Sequence, residues 1–172
     1  MNKRIEAALN EQIEKECSSS QFYLAMASWA ETKGLNGTAK FMYRQSDEER
    51  FHMLKLIRFV NERGGVAAIP AVLQPPATFE SLEQIFQLLL EHECAVTQSI
   101  NEVVDACLQE KDFPTHNFMQ WYVSEQLEEE ALARNILDKL HLIGNDKGGL
   151  YLFDRDLEAM AGKAVTSGVE KA

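Results

Sequence analysis

A chain of 172 residues with 45% hydrophobic residues, 4 prolines and 9 glycines has the length of one domain and enough apolar material to bury a core without covalent staples. Its 27 acidic against 17 basic residues leave a formal charge of −10, a surface that repels nucleic acid and anionic membranes and attracts cations. No stretch approaches the roughly 18 apolar residues of a membrane span, and the N-terminal MNKRIEAALNEQIEKE lacks the apolar run and cleavage site of a secretory signal. Cys17, Cys94 and Cys107 are odd in number and too far apart for a disulfide framework or a zinc site, so the expected compartment is the cytoplasm.

Chain breakers cluster at Gly34 with Asn36-Gly37, from Gly64-Gly65 to Pro75-Pro76, from Asp112 to Pro114, and from Gly144 to Gly149. Between them lie four segments of roughly 30 helix-forming residues each, their apolar positions following a period near 3.6. The second puts Phe41, Leu54 and Ile57 on one buried stripe, and the fourth does the same with Leu127, Leu132, Ile136, Leu137 and Leu140. Strand-like alternation is absent, and the expected fold is all-α. Short links at Gly34 and at Asp112 to Pro114 make segments one and two, and three and four, antiparallel hairpins. The link from about Gly64 to Thr78 is different. At about 3.3 Å per extended residue it can run the length of a helix that rises about 1.5 Å per residue, which sets segments two and three parallel. The expectation is a single domain over residues 1–172: a four-helix bundle at about 3–143 with a long crossover, a fifth helix at about 150–164 after the Gly148-Gly149 break, and a frayed tail at 165–172. Leu150, Leu152, Phe153, Leu157 and Met160 of the fifth helix need a burial partner, expected on a neighbouring subunit.

The two hairpins carry a hidden duplication. ECSSSQ at Glu16 to Gln21 recurs 77 residues later as ECAVTQ at Glu93 to Gln98, and FMYRQSDEERFH at Phe41 to His52 recurs at the same offset as FMQWYVSEQLEE at Phe118 to Glu129. In that frame Glu16 pairs with Glu93, Glu48 with Glu125, Glu49 with Gln126, and His52 with Glu129. Glu49 and His52 form a Glu-x-x-His, with both side chains on one helix face one turn apart. Its duplicate, Gln126 and Glu129, keeps the spacing with different ligands, so the two metal positions should be inequivalent. One Glu from each of two helices, here Glu16 and Glu93, plus a Glu-x-x-His from the others is the arrangement of dimetal carboxylate centres in helix bundles.

Four carboxylates meeting in a low-dielectric core would be costly without cations to neutralise them. The mixed oxygen and imidazole set suits iron or manganese, with zinc as a competitor. Tyr23, seven residues after Glu16 and about 20° short of two full turns, can sit above the centre as a hydrogen-bond donor or one-electron source. Glu48, Glu125, Glu128 and Glu129 form a second acidic set one step around the helices, a candidate third metal position. Gln126 is either a weak ligand or a hydrogen-bonding neighbour of the ligands. Cys17 and Cys94, each a 100° turn from a ligand candidate, read as small core residues. His92, His116 and His141 read as surface or packing residues, and Trp121 and Tyr122 as packing.

With ECSSSQFY (Glu16 to Tyr23), DEERFHM (Asp47 to Met53), His92-Glu93 and FMQWYVSEQLEEE (Phe118 to Glu130) in view, the chain resembles the haem-free bacterial ferritins over nearly its full length. The resemblance implies a ferroxidase that oxidises Fe(II) to Fe(III) with O2 or H2O2 and stores the ferric mineral in a homo-oligomeric shell of 24 subunits. It implies a first iron position at Glu16, Glu49 and His52, and a second at Glu49, Glu93 and Glu129 with Gln126 beside it. A third falls on Glu48, Glu125, Glu128 and Glu129. The haem-containing relatives have a second Glu-x-x-His on the fourth helix and a haem-ligating methionine between the Glu and His of the second. Gln126, Glu129 and Arg50 stand at those places, which implies no haem. A DNA-protecting mini-ferritin is disfavoured by the fifth helix and acidic charge, and an oxygenase or peroxide scavenger by the lack of a four-cysteine tail. The non-enzymatic alternative is a helical bundle whose buried acids merely specify packing.

Overall fold

The structure, a computed structural model, describes residues 1–164, with side chains through Met160. The five described helices are α1 (Lys3–Thr32), α2 (Asn36–Glu62), α3 (Leu82–Gln109), α4 (Phe113–Ile143) and α5 (Lys147–Ala164), with no strand among the described residues. The segment read as a frayed tail, 165–172, lies outside them.

Each boundary has a local cause. The Asn2 side chain accepts from Arg4 N to open α1, Ser81 from Gln84 N to open α3, and Asp112 from Thr115 N to open α4, where Pro114 stands in the first turn. These side chains satisfy amide groups that the first turn of a helix leaves unpaired. After α1 and α2 the chain turns through Gly34 and Gly64 with φ of 73° and 74°, a conformation that favours glycine. The α1–α2 hairpin is closed by reciprocal contacts at its middle. Ser20 Oγ donates to Ser46 O and Ser46 Oγ to Ser20 O, each at 2.7 Å.

The crossover at 63–81 can be followed by its contacts along α1. At its start Ala68 N donates to Asn10 Oδ1 at 2.7 Å and Asn10 Nδ2 donates to Val66 O at 3.1 Å. At its end the buried Phe79 packs edge-on against Trp29 and Phe22. Asn10 and Trp29 are roughly 28 Å apart at 1.5 Å of rise per residue, so the link runs most of the length of α1 and makes α2 and α3 parallel.

The core is split. One apolar cluster gathers Tyr23, Met26, Phe41, Phe86, Ile136, Leu140 and their neighbours. The other gathers Ile5, Leu9, Leu56, Val60, Val103, Met119 and theirs. Between them lies a layer of buried polar side chains that includes Gln12, Glu16, Gln45, Glu49, His52, Glu93, Gln126 and Glu129. This layer displaces part of the expected stripe: Leu127 is 71% exposed, and Leu54 and Ile57 are only half-buried. Gln126 and Glu129 hold the inward face of α4, and the adjoining Leu127, a 100° step around the helix, is turned to solvent.

The fifth helix also corrects its expected start and the partner of its apolar face. It begins at Lys147 rather than about 150, because Asp146 caps its first turn, its side chain accepting from Gly149 N at 2.7 Å. Gly149 is a close-approach glycine there and not a break, since a Cβ would lie 2.7 Å from Ile143 Cγ2. Phe153 and Leu157 find their burial inside the same chain, Phe153 edge-on to Phe86. Tyr151 and Leu152 stay exposed. The contact is locked at the start of α2, which has no side-chain cap of its own. Asp154 supplies one from α5, accepting from Gly37 N, Thr38 N and Thr38 Oγ1 at 2.8 to 3.0 Å.

Candidate metal centre

Glu16 from the middle of α1, Glu49 and His52 from α2, Glu93 from α3, and Gln126 and Glu129 from α4 all enter the polar layer, none more than 8% exposed. The duplicated frame thus delivers one group or one i, i+3 pair from every helix of the bundle. They are not equivalent in geometry. Glu16, Glu49 and His52 each offer a ligand atom within 4.8 Å of the other two. His52 Nδ1 lies 3.8 Å from Glu16 Oε2 and 3.9 Å from Glu49 Oε2. Both of those oxygens are buried with no hydrogen-bond partner. Three ligands facing one point with two orphaned carboxylate oxygens suit a divalent cation with mixed oxygen and nitrogen preference.

Glu93 and Glu129 are instead held on hydrogen-bond donors. Tyr23 donates its hydroxyl to Glu93 Oε1. Gln126 Nε2 reaches Glu93 Oε2 at 3.1 Å, the Glu93 carbonyl at 3.2 Å and Thr97 Oγ1 at 3.3 Å. Glu129 Oε2 accepts from Gln45 Nε2 at 2.9 Å. One half of the centre is therefore open to a cation as it stands, while in the other Glu93 has both oxygens on donors and must exchange one for metal, and Glu129 has one oxygen on the Gln45 amide. Tyr23 contacts Glu93 directly, and Gln126 contacts it through its amide nitrogen.

The second acidic set comes together differently from its sequence reading. Glu48 and Glu125, both half-buried, gather with His52, with ligand atoms within 4.8 Å of one another. Glu128 is exposed and outside that group. Glu129 lies close enough to feel the Glu48 charge.

Charge in the layer is shared unevenly. Burial pushes the Glu16 carboxyl up, but its neighbours His52 and Glu49 and the Gln12 amide hold it below the ordinary value. Gln12 Nε2 donates to Glu16 Oε1 at 2.8 Å. Glu49 is driven well above its ordinary value by burial and by the Glu16 charge, so the buried pair resists carrying two negative charges. Glu93 is raised by burial, and Glu129 is raised to about 8 by burial and the charges of Glu48 and Glu93. For His52, burial lowers the value but Glu16 outweighs it and the net shift is upward. Burial and nearby carboxylates hold the Tyr23 phenol well above its usual range.

These shifts fix the sign of a stability profile. Glu49, Glu93, Glu129 and His52 all have folded values above their unfolded ones, so their contribution is full below the unfolded values, about 4.3 for Glu, and is lost as pH rises through the folded values. Glu16 has the opposite sign, but its contribution is lost only below its ordinary value of 4.5. The melting temperature of the metal-free protein should therefore fall from about pH 5 to about pH 8. Saturating Zn(II), which takes the place of the protons, should flatten that fall. A level metal-free profile would contradict this charge distribution.

Several residues of the centre were not visible as such in the sequence. Gln12 and Gln45 hold Glu16 and Glu129. The signal was present, since each lies four residues before a carboxylate candidate, Glu16 or Glu49, on the same helix face. Trp121 sets its ring 5.2 Å from that of His52, and Tyr122 donates to the His52 carbonyl at 2.8 Å. Cys94 is a correction: it is exposed rather than buried, turned away from Glu93 toward Arg134, while Cys17 is half-buried. His92 is half-buried and stacked on Phe22. His141 pairs with Glu83 at 3.2 Å.

The family model described as ferritin-like domain matches residues 6–143. Among curated relatives, a probable bacterial non-heme ferritin-like protein of Haemophilus influenzae is 42% identical over 95% of this chain and 99% of its own length. A bacterial non-heme ferritin of Campylobacter jejuni is 44% identical over 94% and 96%. A solved open-pore ferritin from the archaeon Archaeoglobus fulgidus superposes with a TM-score of 0.90 at 45% identity, covering 92% of this chain and 98% of that one. Among the described residues, no helix is long and apolar enough to cross a membrane.

Proposed function

The chain belongs to the ferritin family, and from that premise we propose that it is an iron-storage ferroxidase whose substrate, ferrous iron, is oxidised within the bundle and stored as ferric mineral. The observation that carries this is the buried convergence of Glu16, Glu49 and His52 with two orphaned carboxylate oxygens. A bundle built only for packing would not leave acids unpaired in its core.

On this reading the first ferrous ion takes Glu16, Glu49 and His52, displacing any proton that the Glu16 and Glu49 pair holds. The second takes Glu49, Glu93 and Glu129, drawing Glu93 off Tyr23 and Gln126. Each ion gives one electron to dioxygen, which takes up two protons and leaves as hydrogen peroxide. With hydrogen peroxide as oxidant, the same two electrons and two protons yield two waters. Glu48 and Glu125, beside His52, offer a third cation position on the way to or from the pair, with Glu128 at its margin. Haem has no part in this chemistry, since Arg50 on α2 is no axial ligand. The whole chain acts as one domain in a homo-oligomeric shell of 24 subunits, and its three free cysteines suit the reducing cytoplasm.

The test is ferrous oxidation by metal-free protein given two Fe(II) per chain, followed at the ferric absorbance. The wild type should show a fast phase, and His52→Ala should slow it by at least about tenfold through loss of a ligand at the preformed position. A wild type with no fast phase and no metal-dependent rise in melting temperature would favour the packing-only bundle.

A further inference from the structure

Among the carboxylates of the polar layer, Glu129 belongs to neither of the two groups whose ligand atoms lie close together. It feels the charges of both Glu48 and Glu93, and among the described residues the groups that bring ligand atoms within reach of a shared cation are Glu16, Glu49 and His52, and separately Glu48, His52 and Glu125. What holds Glu129 is the amide of Gln45. Gln45 is fully buried, and its Nε2 donates to Glu129 Oε2 at 2.9 Å.

The amide itself is oriented from outside the layer. Arg44 Nη2 donates to Gln45 Oε1 at 2.9 Å, which turns the oxygen toward Arg44 and the nitrogen toward Glu129. Arg44 is set in turn with its guanidinium over the Phe41 ring, 5.0 Å from the centroid, and with Nη1 3.4 Å from the Met160 carbonyl of α5. A donor fixed in this way claims one carboxylate oxygen and leaves the other for a cation, so it limits the directions in which the carboxylate can serve as a ligand.

We propose that Gln45 is a positioning residue that governs how Glu129 is shared between the paired iron position and the acidic group at Glu48 and Glu125. The inference deepens the ferroxidase reading and rests on it. Gln45 touches no iron in this scheme; it acts only through Glu129.

The experiment is calorimetric titration of the intact metal-free protein with Zn(II), a redox-silent probe, in wild type, Gln45→Met, Glu129→Ala and the double variant. Gln45→Met keeps the volume but removes the donor. It should leave the tightest Zn(II) position, that of Glu16, Glu49 and His52, unchanged, and weaken the next by about tenfold. In the Glu129→Ala background it should change nothing further, because a residue acting through Glu129 has no target there. Gln45→Asn, whose amide is one methylene short of Glu129, should behave like Gln45→Met and provides the same test if the methionine variant folds poorly. Wild-type affinities in Gln45→Met or Gln45→Asn would overturn the proposal. So would effects of Gln45→Met and Glu129→Ala that add in full, or an equal weakening of every position, which is the mark of a merely structural role. Wild-type protein that binds no Zn(II) would overturn the ferroxidase reading along with it, an outcome distinct from a binding wild type with an indifferent variant.

Discussion

Glu49→Ala should lose the fast phase of ferrous oxidation, with an initial rate at least about 100-fold below wild type, or about 2.7 kcal/mol of lost barrier lowering. Glu49 is the only carboxylate assigned to both positions of the pair, and its Oε2 is one of the two orphaned oxygens facing His52. Glu49→Gln separates this role from packing. It keeps the volume and replaces a group held well above its ordinary value by burial and by Glu16 with one that never ionises. The metal-free form of Glu49→Gln should then melt higher than wild type near neutral pH, since an acid strained by burial has been removed. Its fast oxidation phase should be lost as in Glu49→Ala. Oxidation at the wild-type initial rate in either variant would remove Glu49 from the reaction.

Gly37→Val should release α5 from the bundle. A Cβ at position 37 would lie 1.7 Å from the backbone oxygen of Asp154 and 2.6 Å from its carbonyl carbon, a collision with backbone that no rotamer relieves. With α5 displaced, Phe153 and Leu157 lose their burial, each about 1.5–3 kcal/mol. The amides of Gly37 and Thr38 also lose the Asp154 cap, about 1 kcal/mol. The expected result is a loss of about 4–7 kcal/mol in stability for the α5 contact and rapid proteolysis within 147–164. At an ordinary interior helix position, replacing glycine by alanine would be stabilising by roughly 0.5–1 kcal/mol, so even Gly37→Ala reverses the usual sign. Native mass measurement reads the consequence for the proposed homo-oligomer: Gly37→Val should fall to species smaller than the wild type, while Glu49→Ala should match the wild type. Intact wild-type assembly in Gly37→Val with α5 protease-resistant would show that the helix tolerates the added side chain.

The four long helices, their hairpin pairing and the crossover are legible in the residues alone, because these depend on local propensity, on breakers and on the reach of a link. The residue types that converge are legible too, since the 77-residue repeat and the i, i+3 spacing place Glu16, Glu49, His52, Glu93, Gln126 and Glu129 at equivalent depths of four helices. How those groups divide their partners emerges only when the helices pack. Whether a carboxylate oxygen is orphaned, as at Glu16 Oε2 and Glu49 Oε2, or held on a donor from another helix, as Glu93 is by Tyr23 and Glu129 by Gln45, depends on side chains meeting across helices. No periodicity along one helix encodes such a meeting. The same holds for α5, whose docking rests on one glycine and one aspartate 117 residues apart, and for Leu127 and Cys94, whose apolar character suggested a core that the polar layer had already filled. Period and spacing determine which side of a helix faces inward; the depth at which charge replaces hydrocarbon is set only when four helices close on one another.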